Sequence, residues 1–159
     1  LYLYETILEV IFMDNDNTEV IKEMNKFLKG IHMGGSTFKD YIERAESKEL
    51  KDSLVEVTET FKRHEEAITH RIEQLGGDAN DSLGVIGMMS EFFQKIKLLS
   101  ANSDKEILDN AIEAMKMGMN NANKFIDEHS NLESSLKSDV EGVVKDYDNS
   151  LRKLESISL

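Results

Sequence analysis

The sequence predicts an all-α protein, a four-helix bundle made of two helical hairpins joined by a crossover. Three observations lead there. No proline occurs in 159 residues. Proline is the residue that most reliably interrupts a helix, so long helices are favoured over a loop-rich β fold. Apolar residues recur at alternating spacings of three and four along four separate stretches, as in helices that each bury one face. The first two stretches also match the last two in sequence.

Residues 1–12 (LYLYETILEVIF) stand apart as an apolar stretch with Glu5 and Glu9. They are too few to span a bilayer and lack the basic start and small-residue cleavage site of a secretory leader. Tyr4, Leu8 and Ile11 fall at helical spacing. Residues 1–17 therefore read as an N-terminal extension, either a short docking helix or a segment preceding a start at Met13. Residues 14–17 read as a polar break, and residues 18–159 as the bundle.

The first bundle helix carries Met24, Leu28, Ile31, Gly35, Phe38, Ile42 and Ala45 as its apolar stripe. Ser47 follows as an N-cap, because its hydroxyl can accept from an orphan amide of the next helix. That helix carries Leu50, Leu54, Val57, Phe61, His64, Ile68 and Leu75, and it stops at Gly76-Gly77, where glycine can adopt the left-handed conformation that ends a helix. Residues 78–83 read as a loop, and residues 85–99 as a shorter apolar helix within the crossover. Ser103 with Glu106 has capping-box spacing and opens the third long helix, with Ile107, Ala111, Met115, Gly118, Ala122 and Phe125 as its stripe. Ser130 with Glu133 repeats that spacing before a fourth helix carrying Leu132, Leu136, Val140, Val143, Tyr147, Leu151 and Leu154.

An internal repeat relates the halves. Ile31-His32-Met33-Gly34 answers Met115-Lys116-Met117-Gly118, and the stripe Leu50, Leu54, Val57, Phe61 and Ile68 answers Leu136, Val140, Val143, Tyr147 and Leu154. Two similar hairpins joined by a crossover imply a pseudo-twofold bundle on the ferritin-like plan.

Composition narrows the function. Hydrophobic residues are 40% and charged residues 31%, which fits a folded domain and neither a disordered nor a membrane-embedded chain. The absence of cysteine removes disulfides, zinc-thiolate sites and thiol nucleophiles. A formal charge of −12 repels phosphate backbones and anionic lipid, so neither nucleic acid nor membrane is an expected partner. The glycine pairs lie in a helix or at a helix end and form no phosphate-cradling loop, and no serine sits in a G-x-S-x-G context. No catalytic residue is assigned. Runs such as Glu65-Glu66 and Asp146-Tyr147-Asp148 read as solvated faces.

Leu75-Gly76-Gly77-Asp78, Gly84-Val85-Ile86-Gly87 and the mid-helix Gly34 resemble the motifs of a bacterial ferritin-like family of unknown function, distantly related to rubrerythrin. The resemblance runs from about residue 23 to 128. It implies a compact four-helix bundle and supplies no established activity. Such families often carry a glutamate, a natural metal ligand, directly after the mid-helix glycine. Here Gly35 and, by the repeat, Met119 occupy those places.

A di-iron centre in such a bundle takes a glutamate from each of two helices and a Glu-x-x-His from each of the other two. No glutamate in the chain is followed three residues on by histidine. The mid-positions of the fourth helix are Val140, Val143 and Tyr147. No metal or cofactor is therefore expected, iron or another divalent metal being the alternative. Weaker metal candidates are Glu66, His70 and Glu73, which share one helix face, and the run Met115, Met117 and Met119. For these the plainer readings are a solvated face and core filling, since residues two apart on a helix point away from each other. His64 lies on an apolar stripe and reads as a core histidine bonded to a neighbouring helix at Tyr147 or Thr37, with ligand binding or pH sensing as the functional alternative. His32 and His129 read as surface residues.

Glycine inside a helix costs about 1 kcal/mol relative to alanine, so Gly34, Gly35 and Gly118 call for a reason. A close crossing of the first and third helices is one. A small pocket bounded by these glycines with His64, Met119 and Tyr147 is another. Met88, Met89, Phe92 and Phe93 offer an apolar partner surface for a homodimer or another protein. The reading is a cytoplasmic, non-enzymatic structural or interaction protein, with a metal-binding or oxidative-stress protein using atypical ligands as the alternative.

Overall fold

The computed structural model describes residues 2–79, 102–130 and 132–159. These form four helices and no strand: α1 (Tyr2–Arg44), α2 (Lys48–Gln74), α3 (Asp104–Glu128) and α4 (Ser134–Glu155). The expected bundle is present. Helix α1 packs on α2 and α3 on α4 as two antiparallel hairpins, with far denser packing within each hairpin than between them.

The register between hairpins follows from three pairs. Phe27 of α1 stacks on Phe125 of α3 at 5.9 Å, while Phe61 and Arg71 of α2 meet Tyr147 and Asp139 of α4. Every neighbouring pair of helices is therefore antiparallel. Helix α2 ends at the opposite end of the bundle from the start of α3, the arrangement that calls for a crossover. The short helix expected there, with Met88, Met89, Phe92 and Phe93, lies outside the described residues.

Residues 14–17 are helical, so the expected polar break is absent and residues 2–17 open a continuous α1 instead of forming a separate docking helix. Aspartate and asparagine lower helix propensity by only about 0.5 kcal/mol each relative to alanine. Without proline or glycine in the stretch, this is too little to stop a helix already propagating on both sides. The buried stripe of α1 is also displaced from the expected one. Gly34, Phe38, Tyr41 and Ala45 are buried, while Gly35 and Ile42 are only partly so. Tyr41 has the larger ring to bury, and its hydroxyl does not keep it outside.

The helix ends are built as the sequence indicates in three places out of four. Ser47 accepts from the Leu50 amide at 3.4 Å, and Ser103 accepts from the Glu106 amide at 3.2 Å. At the end of α2 the Gly77 amide donates to the Ile72 carbonyl and the Gly76 amide to the Glu73 carbonyl, a Schellman motif in which Gly76 takes φ +84°. Gly77 lies so close to α1 that an added methyl group would stand 2.5 Å from Ile21 Cγ2. The capping box expected at Ser130 and Glu133 does not form. Ser130 lies in the turn, and α4 begins after Glu133 with no side-chain cap.

One tie is unanticipated. Asp104, in the first turn of α3, accepts from the backbone amides of Glu46 (2.8 Å) and Ser47 (2.7 Å) in the α1–α2 turn. One carboxylate thus fastens the turn of one hairpin to the start of the other. Asp104→Ala leaves both amides without this acceptor and is expected to cost about 1–2 kcal/mol. The check is a lower denaturant midpoint at unchanged slope.

Candidate functional site

The middle of the bundle is organised by two aromatic rings and two glycines. Phe61 of α2 rests over Gly34 of α1, and Tyr147 of α4 rests over Gly118 of α3. A methyl group placed on Gly34 would lie 3.3 Å from Phe61 Cζ, and one on Gly118 would lie 2.9 Å from Tyr147 Cε2. The glycines thus admit a ring from the same hairpin, not the backbone of the other hairpin's helix as the sequence suggested. The two rings then meet across the seam between hairpins, edge to face at 5.3 Å, and Phe38 extends the row against Phe61 at 5.2 Å. Met115 fills the same interior and is fully buried.

Gly35 has a different environment, with no neighbour within 4 Å of the position a methyl group would take. Gly35→Ala is therefore expected to be neutral or to stabilise by up to about 1 kcal/mol, through helix propensity alone. Thermal unfolding of the variant beside the parent chain checks this.

His64 sits at the edge of the ring row. Its side chain is 13% exposed, and its Nε2 lies 2.9 Å from Asp146 Oδ2 of α4. The carboxylate approaches off the ring N–H direction, so the contact is a close electrostatic one without a well-aligned hydrogen bond. Burial pushes the imidazole below its ordinary pKa, and the Asp146 charge opposes this only in part. Tyr147 presents its ring to His64 at 5.8 Å. The Thr37 hydroxyl, the other expected partner, donates to the Met33 carbonyl instead. Burial raises the phenols too: Tyr147 strongly, and Tyr41 to about 12. The Tyr41 hydroxyl is buried without a hydrogen-bond partner.

Asp146 is the residue that sequence reasoning missed, having been assigned to a solvated face. It is only 33% exposed, contacts His64 and lies 3.9 Å from Arg63. The signal was indirect: an antiparallel pairing of Phe61 with Tyr147 carries His64 to the side of Asp146. With Arg71–Asp139 at 2.6 Å and Lys153–Glu56, three ion pairs and the His64–Asp146 contact join α2 to α4. A groove of about 210 Å³ opens along this face, lined among others by Glu56, Thr60, Arg63, Asp146 and Lys153. Gly35, expected beside a pocket, lines no part of it.

The remaining candidates are dispersed. Glu66, His70 and Glu73 are all exposed on α2. Among the described residues no three histidine, aspartate or glutamate side chains come together so as to hold a metal. Met117 and Met119 are partly buried and diverge from the buried Met115. His32 and His129, expected at the surface, are half-buried: His32 Nδ1 lies 3.5 Å from Glu65 Oε1, and the His129 ring lies tilted against Phe125 at 4.6 Å. Among the described residues the buried polar side chains are Asn25, Thr37, Ser53 and Thr60, with no carboxylate among them. A di-iron centre needs several anionic oxygens in the space that the rings and Met115 take up, so the described residues do not fit one.

Comparison with known proteins places this architecture. The bacterioferritin-related protein of Bacteroides fragilis, described as a dodecameric thioferritin, superposes with a TM-score of 0.71 over 92% of this chain and 90% of its own. At 11% identity the likeness is one of fold, and the fold is a ferritin-like bundle. No described helix is long and apolar enough to cross a membrane. No curated protein matches the sequence. The model of a domain of unknown function, DUF2383, matches residues 19–128, which take in α1 from its fifth turn, all of α2 and all of α3. By that match, the chain belongs to the DUF2383 family.

Proposed function

We propose that this protein is a non-enzymatic ferritin-like module, related to rubrerythrin in plan, that works through its surface and needs no cofactor. The observation that carries this reading is the filling of the bundle's middle by Phe38, Phe61, Tyr147 and Met115 over the Gly34 and Gly118 notches. Carboxylates buried there would be costly without a cation, and the described residues supply none. Self-association is part of the reading. Met88, Met89, Phe92 and Phe93 would give a homodimer its apolar contact, and the Bacteroides fragilis relative in fold is itself described as a dodecamer. A chain without cysteine has no need of an oxidising compartment, which supports a place in the cytoplasm.

The test is metal analysis by mass spectrometry after aerobic purification, repeated after incubation with ferrous iron and desalting. Only traces of metal are expected in both samples. Stoichiometric iron retained after desalting would overturn the proposal in favour of a metal-binding protein with atypical ligands.

A further inference from the structure

The seam between the two hairpins is asymmetric. Its α1–α3 side includes the Phe27–Phe125 stack, whereas its α2–α4 side carries the three ion pairs and the His64–Asp146 contact described above. Among those contacts one partner alone changes charge near neutral pH, namely His64. Its Nε2 is buried without an aligned hydrogen bond, beside a carboxylate that lines a groove open to water.

We infer that His64 and Asp146 form a pH-sensitive clasp between the two hairpins, closed when the imidazole is neutral and loosened when it is protonated. The groups facing the imidazole set the direction. From α4 come the Asp146 carboxylate and the Tyr147 phenol; from α2 itself comes the Arg63 guanidinium, which disfavours a second positive charge. On the α1 side the neighbouring Glu65 faces His32 at 3.5 Å. Burial of the ring against Tyr147 outweighs the attraction of Asp146, so the folded imidazole titrates below its ordinary value. The sign follows by linkage. Above the ordinary histidine pKa of about 6.5 the ring is neutral in closed and open states alike, and the seam keeps its full stability. Below it the open state takes up the proton first. Stability is therefore lost as pH falls toward the lower, closed-state value.

The experiment pairs a proton-NMR titration of the four histidines with hydrogen exchange of the α2 and α4 amides, both between neutral pH and about pH 5. In the intact chain His64 should titrate below the ordinary histidine value of about 6.5, and protection of the facing α2 and α4 amides should fall on acidification once intrinsic rates are corrected. His64→Gln should abolish that excess loss of protection, while His70→Gln should leave it in place. Asp146→Asn removes the attraction and should move the His64 titration further down. A His64 that titrates at or above the ordinary value overturns the clasp, as does an acid response that survives unchanged in His64→Gln. Because the titration is read in the unsubstituted chain, a variant that fails to fold does not rescue the inference.

Discussion

Phe61→Ala is expected to lower the unfolding free energy by about 3–5 kcal/mol. The ring is 6% exposed and touches a different element on each side. Phe38 is edge-on at 5.2 Å, Tyr147 edge-on at 5.3 Å, and Gly34 lies beneath it. Truncation at such a site leaves a cavity whose cost depends on how far the walls can collapse. Here one wall is a glycine, with no side chain to move inward, and another is Tyr147, already fitted into its own glycine notch. The loss should therefore fall in the upper part of the range. Small domains have about 5–15 kcal/mol in all, so the variant would give up a large share of its margin. A denaturant titration reads the effect directly, and a loss under about 1 kcal/mol would show that the ring row is not the centre of the core.

Gly118→Leu should be the second most damaging change, for the opposite reason. Even a methyl group at this position would stand 2.9 Å from Tyr147 Cε2, well inside contact distance. The tyrosine ring cannot swing away freely, since Phe61 meets it at 5.3 Å and His64 at 5.8 Å. Overpacking of this kind costs about 1–3 kcal/mol, and a leucine belongs at the upper end. Replacing glycine in a helix returns about 1 kcal/mol at most, so the net effect remains destabilising by about 2 kcal/mol. Combining Gly118→Leu with Tyr147→Ala removes the obstructing ring. The double variant should be less unstable than the two single losses added together, by about 1 kcal/mol or more. Strict additivity would mean that the glycine and the ring do not press on one another.

Much of this architecture is legible in the residues. Helix α2 and helices α3 and α4 follow their apolar stripes closely, because Leu50, Leu54, Val57, Ile107, Ala111, Val140 and Val143 repeat with the helical period and are all buried. The repeat that aligns Phe61 with Tyr147 is also the one that places both rings in glycine notches. What the residues did not convey is non-local. The tie from Asp104 to Glu46 and Ser47 joins positions 57 and 58 residues apart, and no local pattern marks it. Asp146 looked like one carboxylate among several in a polar run, because its role depends on the antiparallel register of α2 on α4. The polar run at residues 14–17 misled in the other direction. Individually weak helix formers do not end a helix when nothing nearby offers the backbone a better alternative.

The ring-over-glycine joint occurs twice, once in each hairpin, at positions that the sequence repeat brings into correspondence, as a rotation of one hairpin onto the other would. A face that fits its own near-copy under such a rotation is isologous, the geometry by which two identical subunits ordinarily recognise one another. Held on a single polypeptide, the two faces need not find each other by diffusion, because the tether fixes their effective concentration at about the millimolar level. A seam much more thinly packed than the interior of either hairpin can then stay shut.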